Sequence, residues 1–208
     1  MRNLALRLFG IVFLVCGFAG CSATTPIVSE WRNPGYASAP SVKRVMVGGL
    51  GGETSVRRNF EDEFVAQLRG AGVDALPSYR YLPEEEKLDE SKLKEAAKKA
   101  GADAVIFARS VSVEQKTQYS PSYYPSPWFG VYGSHVGATW HGLYGAPSVY
   151  RYKEYTSETT LYDIAKNEVV WTATLKTTEP EDVKAAIKTY VETVVQSLRE
   201  HKLIAARE

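Results

Sequence analysis

Apolar and polar positions acquire a clear period at Val42. Val42, Val45, Met46 and Val47 predict a short strand, and Gly48, Gly49, Gly51 and Gly52 predict the turn that follows it. Thr54 or Ser55 stands where a helix N-cap belongs. Val56, Phe60, Phe64 and Leu68 then recur every four residues with Val65 beside them, one apolar stripe on a helix that Gly70 and Gly72 end. A second strand is predicted over 73–78, and a second helix over 91–100 with Leu93, Ala96, Ala97 and Ala100 on its apolar face and Gly101 as its C-cap. Ala104 to Ala108 is continuously apolar, as in a strand covered on both faces. Beyond it, Val111 and Val113 are expected to face inward against Ser110, Ser112 and Glu114. Three strands joined through two helices predict a parallel β-α-β-α-β core.

The second half changes period. Segments 148–164 and 168–177 alternate in the manner of strands and are joined by Ala165-Lys166-Asn167, which predicts an antiparallel hairpin. Pro180, Glu181 and Asp182 suit the first turn of a helix. Val183, Ala186, Ile187, Tyr190, Val191, Val194, Val195 and Leu198 then carry a helical stripe to about His201. The expected fold class is therefore α/β: a single domain over 41–208, a mixed sheet of about five strands covered by three helices, with no internal repeat.

The first 40 residues follow neither pattern. Arg2 and Arg7 precede an apolar run from Leu8 to Gly20 that ends in small residues, Phe18-Ala19-Gly20-Cys21. A spanning helix needs about 20 apolar residues, and this run of 13 contains three glycines. A basic start, a short apolar stretch and small residues at the cut describe a secretory signal over 1–20. With the cysteine that follows, this one resembles the lipobox of bacterial lipoproteins. The resemblance implies diacylglycerol on the Cys21 sulfur and an acyl group on its amine, and several chains give the stable anchoring that one does not. Ser22 stands where inner-membrane retention would have Asp, so the expected address is the outer membrane, on its periplasmic side. Residues 21–40, with three prolines and no sustained period, read as a flexible tether of roughly 25 Å. Within it, Trp31 and Tyr36 are expected to pack on the domain or sit at the interface.

Composition narrows the chemistry. The chain has 25 Lys and Arg against 24 Asp and Glu, and this near-neutral balance argues against a nucleic-acid partner. Its two cysteines are Cys16, which would leave with the signal, and Cys21. The folded domain therefore has no disulfide to rely on and depends on its core.

The segment Thr117 to Tyr150 contains 34 residues and no Asp, Glu, Lys or Arg. Tyr123, Tyr124, Trp128, Phe129, Tyr132, Trp140 and Tyr144 are interleaved there with glycine and proline. Unstructured loops longer than about 12–15 residues are usually functional or disordered. Three readings remain open: an accessory core folded back on the sheet, a contact surface for an envelope protein or glycan strand, and lipid contact. Tyr and Trp offer large, stiff area with a polar tip, and these seven aromatics are the candidate partner-binding residues. A membrane-crossing hairpin needs ~9–11 alternating residues per strand, and Pro121, Pro125 and Pro127 speak against one in the ascending arm.

Other chemical signals are weak. Gly49-Leu50-Gly51-Gly52-Glu53-Thr54 has Thr54 at the third glycine position of a dinucleotide fingerprint. His135 and His141 fit no common zinc spacing, and Gly133-Ser134-His135-Val136-Gly137 is not a nucleophile elbow. The runs Glu61-Asp62-Glu63 and Glu84-Glu85-Glu86 are expected to be solvated. No cofactor, metal or catalytic residue is indicated.

Signal cysteine, tether, Val-rich strand with a glycine turn, uncharged Gly/aromatic insert, Leu161-x-Asp163 and Val170-Trp171 before a final helix together resemble a family of bacterial envelope lipoproteins of unknown function. The order of elements is similar to the CsgG, TolB N-terminal and LpoB-like domains. The resemblance implies a non-enzymatic binding or assembly role, and the alternative is a periplasmic glycan- or ester-processing enzyme whose acids are unidentified. Cys21→Ser should leave an uncleaved or soluble precursor, read by gel shift and membrane fractionation. Membrane recovery of a processed, unacylated form would contradict the lipobox reading.

Overall fold

The computed structural model describes residues 25–36, 42–82, 88–132 and 135–204, and their side chains outside 121–146. The expected signal and Cys21, like Glu84-Glu85-Glu86, lie outside the described residues. Six strands form one mixed sheet: β1 (Ile27–Arg32), β2 (Arg44–Leu50), β3 (Asp74–Pro77), β4 (Ala104–Tyr132), β5 (His135–Asp163) and β6 (Glu168–Thr178). Their order is β1-β6-β5-β4-β2-β3. Strand β2 is parallel to β3 and β4, whereas the β4-β5, β5-β6 and β1-β6 pairs are antiparallel. The single α/β domain is thus as expected, with one strand more.

Helices α1 (Thr54–Gly70) and α3 (Val183–Glu200) cover one face of the sheet, and α2 (Glu90–Lys99) covers the other. This explains the continuous apolar runs in β2 and β4. Val45, Val47, Ala104 and Ile106 enter the core under α1 and α3, while Met46, Val105 and Phe107 alternate into the core under α2. Among the described residues, Trp171 is the largest fully buried side chain. A bulge at Val170 of β6, opposite the Leu161–Tyr162 step of β5, leaves Val170 out of that pairing, and Val170 and Trp171 both join the α1/α3 core.

Helix ends differ in detail from the sequence reading. The cap of α1 is Glu53, without a side-chain cap bond, rather than Thr54 or Ser55. Helix α3 begins after Pro180: the Asp182 carboxylate accepts from the N–H groups of Lys184 (2.8 Å) and Ala185 (3.2 Å) and takes the cap position. Gly72 (φ +89°) and Gly101 (φ +69°) sit just past α1 and α2, where a left-handed residue closes the helix.

Three expectations are corrected. The stretch read as a tether contains β1, because Ile27 to Arg32 pairs with β6 and Tyr36 is buried beneath the Lys166 ammonium, 4.0 Å from its ring centroid. Trp31 is 49% exposed. Val111 and Val113 face solvent, because β4 has left the cover of the helices and bulges between Ser110 and Ser112. The third is Glu61, which is fully buried rather than solvated.

The Glu61 carboxylate accepts from the Ser78 hydroxyl (2.8 Å), Tyr79 N–H (3.1 Å) and Gly49 N–H (3.2 Å), and Arg57 lies 4.0 Å away. It ties α1 to the end of β2 and to the 3-10 turn after β3. Burial pushes its pKa above the ordinary 4.5, opposed by those three donors and by Arg57. The folded state therefore holds this proton more tightly than the unfolded chain does. Its contribution to stability is full below 4.5 and is lost as pH rises through the raised folded value. Glu61→Gln should flatten that slope in urea melts across the acid-to-neutral range. It should also cost about 1–3 kcal/mol, since the amide nitrogen meets donors rather than acceptors.

Candidate functional site

Two features converge at one end of the sheet, the end where the parallel strands finish. The first is a groove of about 700 Å³. Its floor is Ala108 to Ser110 of β4, Tyr155 to Ser157 of β5 and Thr177 of β6, and its walls are the first halves of α1 and α3. Open α/β sheets place ligand crevices at this end of their strands. Val56, Phe60, Ala186, Ile187 and Tyr190 make the walls apolar, with Arg57, Arg109 and Glu179 among the polar lining groups.

The groove is stiff at its inner end. Phe60 packs edge-on against Phe64 (5.5 Å) and Tyr190 (5.9 Å). The Tyr190 hydroxyl shares a 2.6 Å hydrogen bond with that of Thr159, and burial pushes the Tyr190 phenol up. At the outer end, Arg109 meets Glu158 at 2.9 Å. Gly51 (φ +99°) and Gly52 (φ +82°) turn β2 into α1, and Glu53 lines the groove at the helix start. That position is where a dinucleotide phosphate would sit, and a carboxylate there disfavours an anion.

The second feature is a two-stranded ribbon. Strand β4 loses its β2 neighbour after Arg109, and β5 has no β6 partner before Glu154. Beyond those residues β4 and β5 pair only with each other, as far as Tyr132 opposite His135. The base of the ribbon is charged: Lys116 bonds Glu114 (2.6 Å) and lies 3.7 Å from Glu154, which Lys176 also meets at 2.8 Å. The hydrogen bond from Lys116 holds the Glu114 carboxyl below its usual range.

The uncharged segment continues this ribbon, and pairing runs through the prolines expected to break it, with Pro125 opposite Gly142 and Pro127 opposite Trp140. Register brings Tyr123 and Tyr144 to one rung. Residues directly opposite share a face of the pleat and alternate along each strand. Tyr123, Phe129, Trp140 and Tyr144 therefore belong to one face, and Tyr124, Trp128 and Tyr132 to the other. His135 and His141 belong to the face of Tyr124.

Sequence reasoning missed the cluster that seats β1. Glu30 accepts from the Trp171 indole N–H (2.6 Å) and the Ser197 hydroxyl, and lies 3.0 Å from His201 Nε2. Burial pulls the Glu30 carboxyl upward, and the donors Ser197, His201 and Trp171 outweigh it, leaving its pKa below the ordinary 4.5. The only local signal was the run Ile27-Val28-Ser29-Glu30-Trp31 between two prolines. Among the described residues, no group of three or more His, Cys, Asp or Glu is placed to hold a metal ion.

No protein-family profile and no curated protein matches the chain. Among solved structures it is similar to the PelC dodecamer from Paraburkholderia phytofirmans, at 16% identity over 88% of this chain and 100% of that one, with a TM-score of 0.47. It is also similar to lipoprotein GNA1162 from Neisseria meningitidis, at 12% identity over 76% and 99%, with a TM-score of 0.41. A PDZ domain protein from Parabacteroides distasonis matches at 11% identity over 86% and 35%, with a TM-score of 0.31.

Glu30→Ala should leave the Trp171 indole N–H without a partner and cost about 1–3 kcal/mol, a fall of about 2–4 °C in melting temperature per kcal/mol for a domain of this size. Because the folded pKa is lowered, the Glu30 contribution is present above 4.5 and lost as pH falls through the folded value. Glu30→Gln should remove that acid-side loss in thermal melts at successive pH values.

Proposed function

We propose that this chain is a lipid-anchored protein of the bacterial envelope that acts by contact rather than turnover, held at the outer membrane through Cys21 and facing the periplasm. Its contact element is the ribbon. The observation that carries this reading is the composition of the projection: a two-stranded arm that leaves the domain with a charged base and continues without one charged residue from Thr117 to Tyr150. The described members of the helix-covered core lie elsewhere. A projecting, uncharged and aromatic-rich element of this size supports the reading of a partner surface. The envelope offers protein, peptidoglycan and lipid as candidates.

Replacing residues 119–147 by a short Gly/Ser linker tests it. The melting temperature of the domain should hold, while cross-linking to envelope components in intact cells should be lost. Unfolding of the variant would make the arm part of the core and overturn the reading.

A further inference from the structure

We infer that the ribbon is a second membrane contact: its outer part lies flat on the bilayer that holds Cys21, with one face in the lipid and the other in water. This rests on the anchor reading above and names the ribbon's partner as lipid.

The first argument is reach. Strand β1 begins at Ile27, and Thr25 is buried with its hydroxyl 3.4 Å from that of Thr177. The anchored end of the chain therefore leaves the sheet beside the end of β6. Strands β6 and β4 both run antiparallel to β5, so the ribbon leaves the same end. Four residues from Cys21 to Thr25 span at most ~14 Å. From Gln115, opposite Lys153 and past the last β5–β6 pair, to Tyr132 the ribbon is roughly 55 Å long at about 3.3 Å per residue. An arm that long, on a tether that short, cannot avoid the membrane unless the whole domain turns away from it.

The second argument is where charge stops. The last charged residue of β4 before the tip is Lys116, and the first of β5 after it is Arg151. Thr117 pairs with Arg151, so two arms remote in sequence lose their charges at adjoining rungs. Thr25 lies beside Thr177, whose register runs through Tyr155 to Val113, so that level is about 13 Å beyond the base of the tether. The tether spans at most ~14 Å, so the charge boundary falls within its reach of the headgroup layer, where basic side chains are favoured.

The third argument is the sorting of the faces. Pairing shifts between Ser120 and Ser122, opposite the stretch before Ser148, and such an irregularity bends a strand. Beyond it come eleven rungs, from Ser122 opposite Gly145 to Tyr132 opposite His135. One face holds Tyr123 with Tyr144, Pro125 with Gly142, Pro127 with Trp140, Phe129 with Ala138 and Val131 with Val136. Its only polar atoms are tyrosine hydroxyls and the indole nitrogen. The other face holds Ser122 with Gly145, Tyr124 with Leu143, Ser126 with His141, Trp128 with Thr139, Gly130 with Gly137 and Tyr132 with His135, and so carries all the histidine, serine and threonine residues of these rungs beside its aromatics.

Edges decide between lying and crossing. Hydrocarbon does not tolerate unpaired backbone, and a two-stranded ribbon has two open edges. Pairing with a second copy is disfavoured on the β4 side, where Pro125 and Pro127 bring no N–H. A flat ribbon at the headgroup boundary keeps both edges hydrated and still buries its apolar face, as amphipathic helices do.

With the signal removed and diacylglycerol on the Cys21 sulfur, the chain has no free thiol, so single cysteines can be labelled with an environment-sensitive fluorophore. Phe129→Cys and Val136→Cys report the apolar face, and Ser126→Cys and Thr139→Cys the other. In phosphatidylethanolamine/phosphatidylglycerol vesicles the first pair should be quenched severalfold by brominated lipid and shielded from iodide, and the second pair the reverse. Equal behaviour of both faces, or an apolar face shielded from both quenchers, overturns the inference. Mass spectrometry of Cys21 separates the two readings. Acylated protein with an aqueous apolar face defeats the ribbon contact alone, and unacylated protein whose apolar face still meets brominated lipid defeats the anchor alone.

Discussion

The indole N–H of Trp171 is a buried donor, and the way it is satisfied fastens the first strand to the last helix. Trp171 is fully buried in the core beneath α1 and α3, where a donor without a partner is costly. Glu30 supplies the acceptor, and the same carboxylate reaches Ser197 and His201 near the end of α3. One side chain thus fastens β1 to β6 and to the last helix. Pairing of β1 takes Ile27 to Arg32 out of the stretch read as a coil of roughly 25 Å. On the proposed anchoring through Cys21, four residues then join the lipid to Thr25, and the end of the sheet where β1 begins faces the membrane.

That end is held in shape by another carboxylate, this one fully buried. Glu61 gathers Gly49, Ser78 and Tyr79 around the start of α1, and so fixes where β2 stops and where the first wall of the groove begins. The two acids answer pH in opposite senses. Burial dominates at Glu61 and raises its pKa, while donors dominate at Glu30 and lower it. The Glu30 contribution is lost as pH falls through its lowered folded value, whereas the Glu61 contribution is lost as pH rises through its raised one.

Much of this was legible in the chain. The three helices, the β-α-β-α-β half and the β5-β6 hairpin follow from periodicity, because their apolar positions face a core on a fixed repeat. What was hidden was hidden for local reasons. Glu61 lies three and four residues before Phe64 and Val65 and seven before Leu68, on the buried stripe itself, yet its neighbours Asp62 and Glu63 make it read as one of a solvated run. Strand β1 has one face on α3 and the other in solvent, with Trp31 outward and Glu30 inward. Its alternation is thereby inverted, and no hydrophobicity argument would recover it without knowing that Trp171 needs an acceptor. The groove was invisible because it is made where separate elements end.

The ribbon was misread for a different reason. Proline was taken to end pairing, but an antiparallel pair uses every second N–H of a strand and turns the others outward. Pro125 and Pro127 are two residues apart and therefore share one orientation; the continued register through both is what outward-facing positions allow. The prolines then protect the β4 edge from templating another strand. A lone pair of strands is marginal in water, and this one has no helix beneath it among the described residues. Its stability must come from whatever covers its apolar face. On the proposed anchoring through Cys21, the absence of charge on either arm and the coincidence of the charge boundary across the register favour the bilayer as that cover over a protein, whose interfaces keep a polar rim.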